Sequence, residues 1–508
     1  MQLLHSFLEK SRQQYPEKPL LFAKKWYTYR EVDDAANALA NFLIEKGVQR
    51  GDRVAFLLEN GFEYVVTYYG VLKAGAVAVG LNTETTAETL DYLLQNSGAR
   101  VFISDKNFKK HFKPIAGRLK KLLAFVLARP LSGFDYADIF SAIVETYPPE
   151  RPSVRMINID KAAIVYTSGS TGRPKGVTLT HLNVVTNTES IVAYLRLTAE
   201  DRMLVVLPFY YIYGLSLLNT HVAVGGSLVI ENRFAFPNVA LNSMEEHRVT
   251  GFAGVPSTFA ILMAKTNIRE RHFPVLRYVT QAGGAMAPTL QKEVARTIAP
   301  ARLIIMYGAT EASARLSYLD PDHLDSKWGS IGKAIPNVDL FVADEKGRAL
   351  PAGERGEIVA RGANIMQGYW RDKKETRMVL RDGLYFTGDL GVCDEDGFLF
   401  VVGRSKDMIK QGANRISAKE IEEKILEHEN VLEVAVIGRP DDILGEAMDA
   451  CVVLKRGDDN WQEELRSFVQ GKLPPFKQPK YYSLFNSLPK NSSGKIMKTK
   501  IKEMKGLA

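Results

Sequence analysis

The stretch IVYTSGSTGRPKGV, Ile164 to Val177, joins a short apolar strand pattern to a loop of small and hydroxyl-bearing residues. Small residues allow a tight bend that aims backbone N–H groups and hydroxyls at phosphate oxygens. The Walker A pattern cannot be placed on this stretch, so it predicts a phosphate-binding loop of another kind. A flexible linker is the alternative, but linkers seldom lie between two buried strands. The predicted phosphate-binding residues are Thr167, Ser168, Gly169, Ser170, Thr171, Gly172 and Lys175.

Before this loop the chain alternates helical and strand patterns. Apolar residues recur at helical spacing from Tyr29 to Lys46, and a short apolar strand pattern follows from Arg53 to Leu58. Such alternation is typical of a layered α/β domain with parallel strands. The same alternation continues at Tyr64 to Lys73, Val77 to Leu81, Thr86 to Gln95 and Arg100 to Ser104.

From about Asn337 the pattern changes to short β runs separated by Gly and Asp turns, which predicts a β subdomain. These runs are Glu357 to Ala360, Gly368 to Trp370 and Gly397 to Val402. A chain of 508 residues exceeds the size of one hydrophobic core, so at least two folding units are expected. We predict a large N-terminal domain at 1–403 and a small, mobile α+β domain at 404–508. In the second domain we expect helix Ala418 to His428, strands Val431 to Gly438 and Ala450 to Leu454, and helix Trp461 to Leu473.

Composition limits the classes of partner. The net charge of +8 is spread over a long chain and partly concentrated in residues 472–505, which favours phosphorylated small molecules over nucleic acid. The two cysteines, Cys393 and Cys451, form no CxxC pattern, so neither a disulfide framework nor a zinc site is indicated. A cytoplasmic location is therefore expected.

Membrane insertion is not predicted. The N-terminus does not have the pattern of a secretory signal, and the longest apolar stretch, Val65 to Leu81, is short and interrupted by Lys73. The segment Lys109 to Leu127 mixes basic and apolar residues. A solvated helix with its apolar side in the core is the favoured interpretation, and peripheral membrane contact is the alternative.

Further motifs follow the phosphate-binding loop in order along the chain. Together they resemble the adenylate-forming superfamily, which comprises acyl- and aryl-CoA synthetases, the adenylation domains of peptide synthetases, and luciferases. The resemblance extends from Leu20 to Ile501. The motifs are QAGGA at Gln281 to Ala285, YGATE at Tyr307 to Glu311, YFTGDL at Tyr385 to Leu390, GRSKDMIK at Gly403 to Lys410, and LPKNSSGKI at Leu488 to Ile496.

This resemblance implies a role for each matching residue. The ring of Tyr307 would stack on adenine, Asp389 and Arg404 would bind the ribose, and Glu311 would bind Mg²⁺ with Thr310 as its catalytic neighbour. A carboxylate at the end of a strand is well placed to hold a metal that bridges phosphates. The glycines beside the adenine would be Gly283, Gly284 and Gly308, the catalytic lysine would be Lys495, and the hinge would be Lys406.

The same resemblance implies an ATP- and Mg²⁺-dependent acid–thiol ligase. A carboxylic acid would become an acyl-adenylate and pass to the thiol of CoA, with release of AMP and pyrophosphate. The Lys495 ammonium would offset the charge that develops on the phosphoryl oxygens during adenylation. The sequence departs from the family motif in the loop after Gln411. Members of the family often have a second glycine after the first, whereas Ala413 follows Gly412 here. The geometry of a thiol path along that loop is left open.

The segment Leu207 to Ser216 resembles the motif that begins the acyl pocket. It contains no acidic residue, and a buried substrate ammonium without a counter-charge is costly, so an α-amino acid is disfavoured. Apolar surroundings favour an aliphatic or aromatic acid, and a fatty or other aliphatic acid leads. The predicted pocket residues are Tyr211, Ile212, Gly214 and Ala282.

Two other functions stay open. A stand-alone ligase would load the acyl group onto the phosphopantetheine of an acyl carrier protein, and the basic C-terminal residues suit either an acidic carrier protein or the phosphates of CoA. A non-catalytic nucleotide or acyl sensor would have lost its reactive side chains. Lys495, Glu311 and Asp389 are all present, which disfavours the sensor. Nothing in the sequence selects luciferase activity.

Overall fold

The computed structural model describes residues 2–167, 173–404, 407–411, 414–441, 444–457, 459–490, 494 and 496–507. It is a mixed α/β protein with a large N-terminal domain and a small C-terminal domain, as predicted. The predicted boundary at 403/404 falls at the end of a strand of the large domain. None of the described helices has both the length and the apolar composition that crossing a bilayer requires.

Two mostly parallel sheets form the framework of the large domain. The first has the spatial order β19, β9, β8, β4, β3, β5, β6, β7 and the second has the order β16, β15, β14, β13, β12, β10, β11, β1, β2. The strands of the first sheet are β3 (Arg53–Leu57), β4 (Val77–Gly80), β5 (Ala99–Ser104), β6 (Ala124–Leu127), β7 (Asp138–Ile139), β8 (Lys161–Thr167), β9 (Lys175–Thr180) and β19 (Gly368–Tyr369). Those of the second are β1 (Pro19–Ala23), β2 (Lys25–Thr28), β10 (Arg202–Val205), β11 (Ser227–Ile230), β12 (Gly251–Gly254), β13 (Tyr278–Gln281), β14 (Arg302–Tyr307), β15 (Ser317–Leu319) and β16 (Lys333–Ala334).

Helices cover these sheets, and the largest core cluster is built from helices and strands of both of them. The helices of the large domain are α1 (Ser6–Gln14), α2 (Tyr29–Glu45), α3 (Phe62–Lys73), α4 (Ala87–Ser97), α5 (Lys109–Phe112), α6 (Ala116–Leu119), α7 (Phe140–Thr146), α8 (His181–Leu195), α9 (Ile212–Val224), α10 (Pro237–Glu246), α11 (Pro256–Lys265), α12 (Pro288–Ile298) and α13 (Lys373–Val379). Helices α3 and α9 are apolar around most of their circumference because they are buried on nearly all sides. Helix α2 begins at a capping box in which Thr28 and Glu31 bond each other's backbone N–H groups.

The β subdomain and the C-terminal domain complete the chain. The β subdomain contains β17 (Val338–Ala343), β18 (Gly356–Gly362), β20 (Leu380–Arg381), β21 (Leu384–Cys393) and β22 (Leu399–Arg404). The C-terminal domain contains β23 (Met408–Gln411), β24 (Asn414–Ser417), α14 (Ala418–Ile425), β25 (Val431–Asp441), β26 (Gly445–Leu454), α15 (Trp461–Gln470), β27 (Tyr481–Leu484) and α16 (Lys498–Met504). The predicted helix–strand–strand–helix order is confirmed, while β23, β24, β27 and α16 were not predicted.

Two local predictions were wrong. Gly368 and Tyr369 form a strand, but that strand pairs with β9 in the first sheet rather than with the β subdomain. The segment Lys109 to Leu127 is not one helix. Pro114, which lacks an N–H, lies between the short helices α5 and α6, and the apolar end of the segment is the buried strand β6.

Candidate functional site

The ends of the predicted phosphate-binding loop are fixed by two antiparallel strands. Thr167 is the last residue of β8, Lys175 is the first residue of β9, and the two residues are partners in the sheet register. The Thr167 hydroxyl lies 3.5 Å from the Lys175 carbonyl oxygen. The loop residues Ser168, Gly169, Ser170, Thr171 and Gly172 lie outside the described residues, as do Lys406, Gly412, Ala413 and Lys495.

One tyrosine contacts both the lysine of this loop and the predicted metal-binding carboxylate. Lys175 pairs with Glu375 of α13, and its ammonium lies 5.5 Å from the centre of the Tyr369 ring. The Tyr369 hydroxyl donates a 2.7 Å hydrogen bond to Oε1 of Glu311. Burial, together with the Glu311 charge, raises the pKa of Tyr369, so the hydroxyl stays a donor.

Neither Tyr369 nor Glu375 was predicted to belong to the site. Tyr369 reaches Glu311 because β19 pairs with β9, which places Tyr369 opposite Val177. Gly368, which precedes it, has a φ of +138°, a conformation that favours glycine. A glycine directly before an aromatic residue in GYW was the only signal in the sequence.

Glu311 lies in a short 3-10 turn, Thr310–Ala312, that follows β14. Its carbonyl oxygen accepts a 2.8 Å hydrogen bond from the backbone N–H of Met366, which holds the turn in place. Among the described residues, no group of three or more His, Cys, Asp or Glu side chains is arranged to hold a metal. A single carboxylate still fits Mg²⁺, which proteins often bind through one or two carboxylates while substrate phosphates supply other ligands.

Tyr307, Asp389 and Arg404 form a hydrogen-bonded row. The Tyr307 hydroxyl donates to Oδ2 of Asp389 at 2.7 Å, and Nε of Arg404 donates to Oδ1 at 2.7 Å. Asp389 in β21 and Arg404 in β22 are also register partners, so the sheet itself aligns them. Burial lowers the pKa of Arg404, but the Asp389 charge outweighs burial and raises it overall. Each carboxylate oxygen keeps a lone pair with which it can accept a further hydrogen bond.

Glycines allow tight packing of the backbone next to this row. A Cβ on Gly308 would lie 1.9 Å from the Ala314 carbonyl oxygen, so no larger residue fits there. Gly283 has a φ of +84° and packs against Val255. These residues border a cavity of about 940 Å³, near the upper end of the range for small-molecule sites. The predicted nucleotide-binding residues that line it are Gly283, Gly284, Tyr307, Gly308, Asp389 and Arg404.

The C-terminal domain forms the other wall of this cavity. The Ser257 hydroxyl of α11 donates a 3.3 Å hydrogen bond to the carbonyl oxygen of Gly494, the residue before Lys495. On the other side of Lys495, Lys498 forms an ion pair of 2.7 Å with Glu422. The flanks of the predicted catalytic lysine are therefore anchored to both domains, and Ser257 and Glu422 were not predicted.

The predicted acyl-pocket residues lie in or against the core. Tyr211, Ile212 and Gly214 stand at the beginning of α9, and Ala282 follows β13. Ile212 and Ala282 are buried, and a Cβ on Gly214 would lie 2.1 Å from the Pro208 carbonyl oxygen. In the part of the chain that the structure describes, none of these four residues lines the 940 Å³ cavity.

Comparisons with protein families find two matches. Residues 8–370 match the family described as "AMP-binding enzyme", and residues 420–495 match "AMP-binding enzyme C-terminal domain". The first match alone covers more than half of the chain.

Comparisons with individual proteins agree with these families. A long-chain-fatty-acid–CoA ligase of Bacillus subtilis is 33% identical, over 98% of this chain and 94% of its own length. A feruloyl-CoA synthase of Amycolatopsis sp is 34% identical, over 94% of each chain. The structure of the anthranilate CoA ligase AuaEII in complex with anthranoyl-AMP has a TM-score of 0.93 at 26% identity and covers 99% of this chain and 97% of its own. The ATP-bound structure of MatB from Rhodopseudomonas palustris has a TM-score of 0.90 at 29% identity and covers 99% of each chain.

Proposed function

This chain belongs to the AMP-binding enzyme family, and from that premise we propose that it is an ATP-dependent acyl-CoA ligase that forms AMP. It activates a carboxylic acid as an acyl-adenylate, releases pyrophosphate and then transfers the acyl group to CoA. The observation that carries the proposal is the cavity between the two domains, which is bordered by the Tyr307–Asp389–Arg404 row and by three of the predicted glycines.

The predicted nucleotide-binding residues divide among the parts of ATP. The ribose hydroxyls donate to Asp389, whose oxygens are held in place by Tyr307 and Arg404. The adenine lies beside Gly283, Gly284 and Gly308, which line the cavity next to Tyr307. The β- and γ-phosphates contact the loop from Thr167 to Lys175, whose backbone donors suit phosphate oxygens.

Glu311 is the residue that would hold Mg²⁺, with the ATP phosphates as its partners. When bound, the metal neutralises phosphate charge during attack on the α-phosphate. Tyr369 fixes the Glu311 carboxylate through its hydroxyl, and Thr310 begins the turn that carries Glu311. Ligands that are oriented by a second hydrogen bond in this way are typical of metal sites.

Lys495 supplies the positive charge in the first half-reaction. A carboxylate that attacks the α-phosphate builds up negative charge on the phosphoryl oxygens, and a positioned ammonium offsets it. In the second half-reaction the C-terminal domain turns about Lys406, which withdraws Lys495 and opens a path for the pantetheine thiol of CoA. Rotation about a few exposed residues is a common form of domain movement.

The acid is most simply an aliphatic one. The names of the relatives above refer to long-chain fatty acids, ferulate and anthranilate, so they do not point to a single class of acid substrate. The apolar surroundings of Ile212 and Ala282 support an aliphatic chain.

The proposed location of the protein is the cytoplasm. The cysteines Cys393 and Cys451 form no disulfide, which suits a reducing compartment.

The test is a two-step assay with the full-length protein, ATP and Mg²⁺ across aliphatic, aryl and amino acids. Acid-dependent pyrophosphate release followed by acyl-CoA formation is the expected result. Lys495→Ala is expected to lower adenylation by about 10²-fold or more while transfer from supplied acyl-adenylate is much less affected. Equal losses in both steps would contradict the assignment of Lys495 to the first step.

The acceptor is tested in the same assay by comparing free CoA with acyl carrier protein. Turnover on CoA supports the proposal. If adenylate forms without turnover on CoA but the acyl group is transferred to the phosphopantetheine of the carrier protein, the carrier protein is the acceptor instead of CoA.

The hinge is tested by a variant. Lys406→Pro is expected to impair thioester formation more than adenylation because proline restricts the backbone at the proposed hinge.

A further inference from the structure

Arg315 is a buried cation. Among the described lysines and arginines, only Lys73 and Arg315 are buried, with 1% and 3% of their surface exposed. Lys73 is fully compensated, since its ammonium lies 2.6 Å from oxygens of both Asp33 and Asn37. Arg315 is different, because no carboxylate of the described residues lies within 4.0 Å of its guanidinium nitrogens.

The partners of the Arg315 guanidinium are neutral. Its carbon lies 4.1 Å from the centre of the Tyr213 ring, Nε donates to the sulfur of Met306 at 3.3 Å, and Nη1 donates to the Ala314 carbonyl oxygen at 3.1 Å. The Tyr194 hydroxyl is a further neutral partner. A ring face, a thioether, a hydroxyl and one carbonyl compensate a buried charge only in part. An arginine side chain also stays charged in proteins, so it cannot become neutral as a buried lysine can.

This charge lies where the predicted acyl-pocket segments meet. Tyr213 stands between the predicted pocket residues Ile212 and Gly214, and its hydroxyl contacts Thr280, two residues before Ala282. Met306 lines the 940 Å³ cavity and touches Arg315 directly. The guanidinium is thus separated from the cavity by one side chain, that of Met306, and it contacts the segment that carries the predicted pocket residues Ile212 and Gly214.

The turn before Arg315 has an unfavourable backbone conformation, and hydrogen bonds hold the backbone of Arg315 in place. The two preceding residues, Ser313 and Ala314, have φ values of 56° and 121°, although neither is glycine. The side chains of Asn187 and Asn364, both buried, donate to the Arg315 carbonyl oxygen at 2.9 and 3.0 Å. Strained and over-determined backbone of this kind concentrates at ligand-binding sites.

We propose that Arg315 binds a second anionic group on the acid substrate, so that the preferred substrate is a dicarboxylic acid or another acid with a negatively charged far end. This inference rests on the proposed ligase function and specifies its substrate class. The first carboxylate is adenylated, while the second pairs with the guanidinium and supplies the missing counter-charge. Planar guanidinium and carboxylate groups match in two parallel hydrogen bonds, which gives the selection its geometry.

The first experiment uses the wild-type protein and needs no variant. Initial rates of acid-dependent pyrophosphate release are compared for matched pairs of acids with equal carbon number, such as butanoate with succinate, hexanoate with adipate, and dodecanoate with dodecanedioate. The expected result is a kcat/KM at least about tenfold higher for the dicarboxylic member of the best pair. Preference for the monocarboxylic member in every pair overturns the inference and leaves the ligase function intact. No release with any acid overturns the ligase function and this inference together.

Variants then separate recognition from support of the fold. Arg315→Met keeps the length of the side chain but removes its charge, and is expected to lower kcat/KM for the dicarboxylic acid by about 30-fold or more with little loss for its monocarboxylic partner. Arg315→Lys is expected to retain an intermediate preference, and this variant remains informative if Arg315→Met does not fold. Arg348→Met, the same change at an exposed arginine paired with Asp344, is the control. Equal losses on both members of a pair would assign Arg315 to support of the fold and overturn the inference.

Discussion

The Ser257 hydroxyl donates a hydrogen bond to the carbonyl oxygen of Gly494, so the first turn of α11 is joined to the residue directly before Lys495. The contact crosses between the two domains, at the border of the cavity that we assign to ATP. An arrangement with the C-terminal domain docked in this way corresponds to the adenylating step of the proposed mechanism. A change at this contact is therefore expected to affect the two half-reactions unequally.

Gly494→Ala is expected to weaken this docking. Gly494 has a φ of +79°, and an added Cβ would lie 2.7 Å from the Ser257 hydroxyl and 3.0 Å from a methyl of Val255. We expect the rate of adenylation to fall by about tenfold or more, because the variant loses one contact between the domains and strains the backbone. Transfer from supplied acyl-adenylate is expected to change much less. Pyrophosphate exchange and thioester formation measure the two steps.

The matched control for this variant is Gly506→Ala. Gly506 also has a positive φ, +65°, but an added Cβ there would meet no atom within 4 Å. It therefore introduces similar backbone strain in the same domain without touching α11. If both variants slow adenylation to the same extent, the contact with Ser257 has no role in the first step.

Asp389→Asn is expected to impair ATP binding more than Tyr307→Phe. The phenylalanine variant removes one hydrogen bond to Oδ2, which corresponds to roughly 1 kcal/mol, or about fivefold in KM for ATP. The asparagine variant removes the charge that Arg404 faces, and we expect a rise of about 30-fold or more. KM for ATP in pyrophosphate release measures both, and Tyr136→Phe, at a tyrosine with 40% of its surface exposed, is the control. A larger effect of the tyrosine change would contradict the central place of Asp389.

Tyr369→Phe is expected to raise the Mg²⁺ concentration that half-maximal activity requires. The hydroxyl is the donor that fixes Oε1 of Glu311, and loss of such a supporting bond commonly weakens metal sites by about 10–100-fold. The measurement is the rate of adenylation as a function of free Mg²⁺ at saturating ATP. Glu375→Gln is a useful comparison because it removes the partner of Lys175 but not that of Glu311. An unchanged Mg²⁺ requirement in Tyr369→Phe would remove Tyr369 from the metal site.

Local patterns in the sequence predicted most of the fold, and they supplied the residues that we assign to the nucleotide. The helix from Tyr29 and the strand from Arg53 follow from apolar spacing over a few residues, and both are present nearly as predicted. The position of Tyr369 depends instead on pairing with β9, almost 200 residues earlier, which no local pattern encodes. Likewise Arg315 meets Tyr213 only because α9 and the turn after β14 pack together. Contacts between distant segments are set by the whole core, so local sequence patterns do not place them.

His181 is expected to make the stability of the protein depend on pH. Its ring is buried, and Nδ1 accepts a 3.1 Å hydrogen bond from the backbone N–H of Leu4, which ties the N-terminal segment to α8. Burial lowers the pKa of His181 to about 4, while nearby Asp160 acts in the opposite direction. The buried ring of His5 lies 5.8 Å away, and its pKa is also lowered by burial and by His181.

Because the pKa of His181 is lower in the folded state, its stabilising contribution is complete above the unfolded value near 6.5 and is lost as pH falls toward 4. From pH 7.5 to pH 5 this one group is expected to lower the free energy of unfolding by roughly 2 kcal/mol. Urea unfolding at both pH values measures the loss. His181→Gln cannot take up a proton and keeps an acceptor for Leu4, so its loss should be smaller by about that amount, whereas His272→Gln, at an exposed histidine, should follow the wild type. An identical loss in His181→Gln and wild type would show that the pH dependence arises elsewhere.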